Sequence, residues 1–217
     1  MLLFVELFYY IANISIDAVI TDPPYTDERA YTKFFRVLIP KLHRVLKKDA
    51  WLVFYWPTAK LDVPFRLSIL NYFEYRDSLV ILYKRPTSSF SLIGRKQTIL
   101  CMLFSKGNPK IYLKPGDIIL GEEDPDIVPE IIKPDKNRPK DWRPTFATKL
   151  ILAMLTKEGD TVLDPMCGYG TIPAMCELMD RKWIAADINK GRVEFAKTLI
   201  ERVVQKKKNR INYSEKQ

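Results

Sequence analysis

The sequence predicts an α/β fold, a single domain built on a mostly parallel sheet with helices on both faces. Three observations carry that prediction. Short apolar runs alternate with longer stretches of helical periodicity, the pattern of strand–crossover–strand units. Several runs, such as WLVFY (51–55) and QTILCMLF (97–104), are apolar throughout, as strands buried on both faces are. A chain of 217 residues buries roughly 70% of its extended surface, enough for one domain of two or three layers.

Residues 18–22 (AVITD) read as a buried strand ending in a Pro-Pro-Tyr turn. Residues 28–48 read as a helix with Phe34, Phe35, Leu38, Leu42 and Leu46 on one face, Pro40 starting or kinking a second segment. Strand 51–55, a helix near 61–72, and strands 78–84 and 97–104 follow. Residues 107–144 hold 7 of the 15 prolines and the acidic run Glu122-Glu123-Asp124, and read as a surface loop or a small irregular insertion. Helix 145–157, strand 160–164, a turn with two glycines, helix 172–180, strand 183–187 and helix 190–205 complete the pattern. The chain then reads as a basic tail, 202–217. There is no internal repeat.

Composition narrows the chemistry. Thirty-five Lys+Arg against 26 Asp+Glu give +9, which favours a polyanionic partner. Three cysteines (Cys101, Cys167, Cys176) form no disulfide framework and suit a reducing compartment. One histidine, His43, with no CxxC or HxxxH spacing, builds no zinc site. It would have to serve any Ser-His-Asp or Cys-His chemistry, yet it sits in the helical stretch KLHRVLKK and reads as a surface or boundary residue. No basic segment opens the chain and no run of 18 uncharged apolar residues occurs, so a soluble cytoplasmic protein with no membrane contact is expected.

Two constellations carry chemistry. Asp22-Pro23-Pro24-Tyr25 follows a buried strand. Two prolines fix the backbone and remove two N–H donors, so the turn presents a carboxylate and bare carbonyls where open α/β sheets place ligands. With the Tyr25 ring beside them, these groups suit a planar substrate bearing an amino group. The second is Asp164-Pro165-Met166-Cys167-Gly168-Tyr169-Gly170-Thr171, between a strand and a helix. Two glycines let a ligand approach the backbone closely. The third glycine of a dinucleotide fingerprint is absent, Ala174 standing in its place. Asp187, at the end of the next strand, stands where an acid can bond ribose hydroxyls.

Together, DAVITDPPY and TKEGDTVLDPMCGYGTIPAMCELMDRKWIAADIN resemble the S-adenosylmethionine (SAM)-dependent amino-methyltransferases of DNA. The substrate motif precedes the cofactor motif, as in the permuted β class, and the likeness covers roughly residues 15–105 and 142–200. It implies a Rossmann-like methyltransferase domain over 1–217, with a seven-stranded, circularly permuted sheet. It also implies SAM as cofactor, duplex DNA as partner, and modification of the restriction-modification type. Asp22, Pro23, Pro24 and Tyr25 would be catalytic. Asp164, Met166, Cys167, Gly168, Gly170 and Thr145 would line the SAM pocket, with Asp187 on the ribose and Ile188 against the adenine. WRPTFATKLI (142–151) resembles the family's His-Pro-Thr-Gln-Lys-Pro segment. Pro144 and Thr145 match; Arg143, Phe146, Ala147 and Thr148 depart from it, removing the usual lysine contact to the SAM carboxylate and leaving Lys149 or Thr145 to replace it.

In such a site the two protons of an exocyclic amine bond Asp22 and the Pro23 carbonyl, with the base flipped out and stacked on Tyr25. Methylation at cytosine C5 needs a thiolate beside the base. No cysteine neighbours Asp22–Tyr25, and Cys167 reads as a small buried filler in the cofactor loop. In the family it resembles, Asp before Pro-Pro-Tyr is more often found with adenine N6 and Ser with cytosine N4, so the resemblance implies adenine N6 ahead of cytosine N4. Alternatives are an RNA amino-methyltransferase, which usually places the cofactor motif first, and a non-catalytic nucleic-acid-binding protein with a decayed SAM site. Residues 107–141 occupy the place of a recognition region; their shortness implies a short site, low specificity or a homodimer sharing the DNA. Lys206, Lys207, Lys208 and Arg210, with Arg202, are candidate phosphate contacts, or else a solvated helix end favoured by the dipole.

Overall fold

The structure, a computed structural model, describes residues 2–24, 28–56, 69–83, 90–91, 94–95, 98–114, 118–121 and 145–214. In chain order the elements are α1 (Leu2–Tyr10), β1 (Ile16–Thr21), α2 (Glu28–Val45), β2 (Leu46–Trp56), β3 (Glu74–Tyr83), β4 (Phe90–Ser91), β5 (Gly94–Arg95), β6 (Thr98–Lys106) and β7 (Ile118–Gly121), then α3 (Thr145–Leu155), β8 (Thr161–Asp164), α4 (Thr171–Leu178), β9 (Lys182–Ala185) and α5 (Lys190–Ser214). Seven strands form one sheet in the order β7-β3-β6-β2-β1-β8-β9, and β4 pairs with β5 separately. Within the large sheet only β6 runs against its neighbours, β2 and β3; the other pairings are parallel.

The sheet separates two cores, and alternation along each strand decides which residue enters which. Val19, Leu52, Phe54, Phe104 and Leu163 face α1 and α2. Ala18, Ile20, Val53, Tyr55, Leu103 and Val162 face α3, α4 and α5. These strands are buried on both faces, which is why they read as unbroken apolar runs.

Helix α2 continues through Pro40 instead of dividing there. A proline inside a helix costs about 3 kcal/mol. Phe35, Leu38, Ile39, Leu42 and Val45 are all at most 1% exposed on the sheet, and each such burial contributes roughly 1.5–3 kcal/mol, so packing wins. The helix stops at Val45, not at residue 48. Leu46 pairs with Ile16, and the ladder resumes at Ala18 and Trp51, so residues between them bulge from β2. Lys47 in that bulge bonds Asp17 at 2.7 Å, while the other Asp17 oxygen accepts the Thr161 N–H at 2.9 Å. Asp17 thus ties both neighbours of β1 together at the amino edge of the sheet.

Two further expectations change. Residues 118–121, inside the stretch read as irregular, form an edge strand parallel to β3. Val80, Ile81 and Leu82 supply a flat apolar partner, and the local sequence IILG fits a strand. Of the segment read as a basic tail, residues 202–214 belong to α5, which runs to Ser214. Of the helix expected near 61–72, residues 57–68 lie outside the described part and 69–70 are helical. His43 is half-buried beside the Tyr72 and Phe73 rings, at 5.6 and 5.4 Å, a boundary residue as its sequence context implied. Burial, with Lys106 nearby, lowers its pKa. Among the described residues no helix is long and apolar enough to cross a membrane.

Candidate active site

Strands β1 and β8 are parallel neighbours, Ala18 pairing with Val162 and Val19 with Leu163. From β1 the chain crosses through α2 on one face to β2; from β8 it crosses through α4 on the other face to β9. The crossovers diverge, which opens a crevice at the carboxyl ends of these two strands, the place where open α/β sheets bind ligands. Both sequence motifs start there.

The two strand ends are joined directly. Thr21, the last residue of β1, donates its hydroxyl to Asp164 Oδ1 at 2.7 Å, in a fully buried contact. The same oxygen accepts the Met166 N–H at 3.3 Å. Among the described residues nothing donates to Asp164 Oδ2, although Asp164 is only 2% exposed. Burial pushes the Asp164 carboxyl up to about 7; the Thr21 and Met166 bonds oppose that shift, and the Asp22 and Asp187 charges add to it. Three carboxyl groups therefore converge at one edge.

Past Asp164 the loop is held by its backbone. The Cys167 N–H donates to the Ala186 carbonyl at 2.8 Å, and the Ala186 N–H to the Asp164 carbonyl at 3.1 Å. The Asp187 carboxylate accepts the Gly168 N–H on Oδ2 at 2.9 Å and the Asn189 N–H on Oδ1 at 2.8 Å. Gly168 (φ +53) and Gly170 (φ +83) both adopt the left-handed conformation that favours glycine. Their surroundings differ. A Cβ on Gly170 would meet Ala196 of α5 at 2.6 Å, whereas one on Gly168 would meet nothing within 4 Å. Gly170 is where loop and helix touch; Gly168 borders open space. Ile188, which follows Asp187 in the chain, stands 60% exposed. Tyr169 turns away, edge-on to Phe195 at 5.3 Å with Arg192 over its face.

The sequence-derived residues fall into place unevenly. Asp22 is half-buried at this edge, Pro23 buried and Pro24 exposed, while Tyr25 lies outside the described residues. Met166 packs against the α2-side core. Cys167 is half-buried; burial raises its pKa, and Asp164 and Asp187 push it further, so the group stays a thiol. Thr145 is buried in the first turn of α3, and Thr148 shares a 2.8 Å hydrogen bond with Tyr55 near the end of β2. That bond sets the start of α3 on the same edge; Trp142, Arg143 and Pro144 lie outside the described residues.

The basic cluster does not join them. Helix α5 leaves the crevice at Lys190, and by Lys207 it has reached the C-terminal end of α4. There the Lys207 ammonium donates to the Glu177 carbonyl at 3.0 Å and pairs with Asp180. At 1.5 Å per residue this is roughly 25 Å from the crevice. Lys207 is therefore a brace between helices, and Lys206 and Lys208 share its end of α5; the Arg210 side chain lies outside the described part.

Sequence reasoning missed two features. Thr21 read as an ordinary strand residue, since only the fold shows that Asp164 is its neighbour. The second is the join between β3 and β6. Tyr83 and Thr98 both lie on the crevice edge, and residues 84–97 between them carry Lys84, Arg85, Arg95 and Lys96 with no acid. That charge was visible in the sequence; the topology adds that the strands flanking it end on this edge, and of residues 84–97 only 90–91 and 94–95 are among those described.

Comparison with known proteins gives the fold and the family. The chain is 28% identical over 230 aligned positions to the type II methyltransferase M.BamHI of Bacillus amyloliquefaciens, covering 88% of this chain and 54% of that protein; it spans about half the length of that relative. The crystal structure of the M1.HpyAVI–SAM complex superposes with a TM-score of 0.68 at 17% identity, covering 92% of this chain and 95% of the other. The PvuII DNA methyltransferase described as cytosine-N4-specific superposes at 0.73 and 18% identity, covering 95% and 89%. At such identities these two structures establish the fold. The sequence model of the DNA methylase family N6_N4_Mtase matches residues 16–198, and the chain belongs to that family.

Proposed function

We propose that this protein transfers a methyl group from SAM to the exocyclic amine of a DNA base, with adenine N6 as the acceptor. The observation that carries the reading is the junction of β1 and β8, which sets the Asp22-Pro23-Pro24 turn beside the glycine loop.

The residues present fit SAM. Asp164 Oδ2 is a buried acceptor that no described residue satisfies, and such a group calls for a partner. Asp22, Asp164 and Asp187 concentrate negative charge, which suits a ligand carrying sulfonium and ammonium cations. Gly168 leaves room against the backbone, Asp187 is oriented for ribose hydroxyls, and Ile188 offers an apolar surface for adenine. When bound, SAM supplies an electrophilic methyl group on sulfur.

This chain's residues prepare the acceptor. An exocyclic amine is a poor nucleophile because its lone pair is delocalised into the ring. The Asp22 carboxylate and the Pro23 carbonyl accept its two N–H bonds and localise that pair. Pro23 and Pro24 carry no N–H that could compete for the carboxylate, so the turn is preorganised and electrostatics supply most of the effect. Tyr25 stacks on a base flipped out of the duplex, and the acid-free segment that joins β3 to β6, with Lys84, Arg85, Arg95 and Lys96, neutralises phosphates.

The test is to incubate the protein with labelled SAM and unmethylated DNA, digest to nucleosides, and identify the product by mass spectrometry. N6-methyladenine is expected, and Asp22→Ala should abolish it while leaving SAM binding within about twofold. N4-methylcytosine would move the acceptor to cytosine; label found only in RNA would discard the DNA substrate.

A further inference from the structure

We propose that Thr21 is a positioning residue: by donating its hydroxyl to Asp164 it locks the carboxylate that ends the cofactor strand to the strand that carries Asp22, and so sets the grip on SAM and the pH at which that grip fails. The inference rests on the SAM reading above and concerns a residue outside both Asp22–Tyr25 and Asp164–Thr171.

The geometry is specific. Thr21 and Asp164 are 0% and 2% exposed, so water cannot replace either partner. The 2.7 Å bond and the Met166 N–H both fall on Oδ1, which fixes the plane of the carboxylate and leaves Oδ2 to a ligand. Thr21 is also the residue before Asp22, so any rotation of Asp164 is felt at the substrate turn. A charge-assisted bond of this kind favours the ionised acid. The groups facing Asp164 otherwise oppose ionisation: Asp22 from just beyond β1 and Asp187 from beyond β9, both acidic, with the Cys167 and Cys176 thiols alongside. Among the described residues the Thr21 hydroxyl and the Met166 N–H are the groups holding Asp164 in the form a cationic ligand needs.

The experiment compares wild type with Thr21→Val, which keeps the shape, and Thr21→Ser, which keeps the hydroxyl. Asp164 is titrated in the ligand-free proteins through its carboxyl ¹³C resonance, assigned with Asp164→Asn, and SAM affinity is measured by calorimetry at several pH values. For Thr21→Val the Asp164 midpoint should rise by about one unit. Its SAM affinity should fall about tenfold near neutral pH, with the deficit shrinking at alkaline pH, where the acid ionises regardless. Thr21→Ser should match wild type within about twofold in affinity. An unmoved midpoint in Thr21→Val, a pH-independent loss, or a serine variant as impaired as the valine one overturns the proposal. If Thr21→Val does not fold, wild type still decides: a Thr21 hydroxyl proton protected from exchange supports the lock, and a freely exchanging one overturns it. Wild type that binds no SAM at any pH, but whose Asp164 midpoint still answers to Thr21, would overturn the SAM reading and the claimed grip while leaving the hydrogen bond intact.

Discussion

The Asp187 carboxylate is oriented by the loop it serves: Gly168 donates to one oxygen at 2.9 Å and Asn189 to the other at 2.8 Å. The acid assigned to the ribose is thus fixed before any ligand arrives, and the glycine loop is fixed with it. Asparagine cannot copy this arrangement, because its amide has one acceptor oxygen and its NH₂ would face an N–H donor. Asp187→Asn and Asp187→Ala should therefore both weaken SAM binding by at least about tenfold, or ~1.4 kcal/mol. Calorimetry checks this, and an Asp187→Asn protein that binds like wild type would show the two backbone bonds to be incidental.

The two glycines of the loop should fail in different ways. Gly170→Ala places a methyl group 2.6 Å from the Ala196 Cβ at φ +83. Left-handed strain costs about 1–2 kcal/mol and the overlap about 1–3 more, so the variant should unfold at clearly lower urea. Gly168→Ala meets no neighbour and should cost only the left-handed strain, about 1–2 kcal/mol, yet its methyl points into the space proposed for SAM. The expected result is a stability defect for Gly170→Ala and a binding defect for Gly168→Ala, read by denaturation and calorimetry on both.

Much of this was legible beforehand because the fully buried strands and the two strand-end motifs are local signals. Ala18–Ile20 and Trp51–Phe54 announce themselves by composition. Asp22 stands out by its Pro-Pro-Tyr neighbours and Asp164 by the paired glycines close behind it. Tertiary effects were not legible. Burial of the α2 face overrides Pro40, and pairing with Ile16 draws Leu46 out of a helical pattern into β2. The hydroxyl of Thr21 has meaning only once β8 lies beside β1, 143 residues away in sequence. The place of the basic end of α5 was not legible either: charge density is local, but its distance from the crevice depends on which end of a 25-residue helix carries it.

Where the phosphates are held is testable. If phosphates are held beside the crevice, replacing Lys84, Arg85, Arg95 and Lys96 with alanine should weaken DNA binding. It should also reduce the slope of log affinity against log salt by about 0.9 for each phosphate no longer neutralised. Replacing Lys206, Lys208 and Arg210 should leave the slope nearly unchanged. Salt-dependent anisotropy titrations on one duplex compare the two variants, and the reverse ranking would return the DNA to the end of α5.

The raised pKa of Asp164 makes a prediction about stability. An aspartate ordinarily titrates near 3.8, and burial lifts this one to about 7. Between those values the folded protein keeps a proton that the unfolded chain has released, so this group's contribution to stability falls as pH rises through the window and levels off above it. A shift of roughly 3 units corresponds to at most about 4 kcal/mol. Asp164→Asn removes the titration, and its amide oxygen can still accept from Thr21 and Met166. Without SAM, the asparagine variant should therefore match wild type near pH 4 and exceed it above about pH 7. With SAM the order should reverse, because the ligand stabilises the form it binds, and only wild type offers it a carboxylate. Urea unfolding of both proteins at acidic and alkaline pH, with and without SAM, isolates the effect, since contributions from all other groups cancel in the difference. A difference that does not change with pH would mean that Asp164 stays ionised throughout.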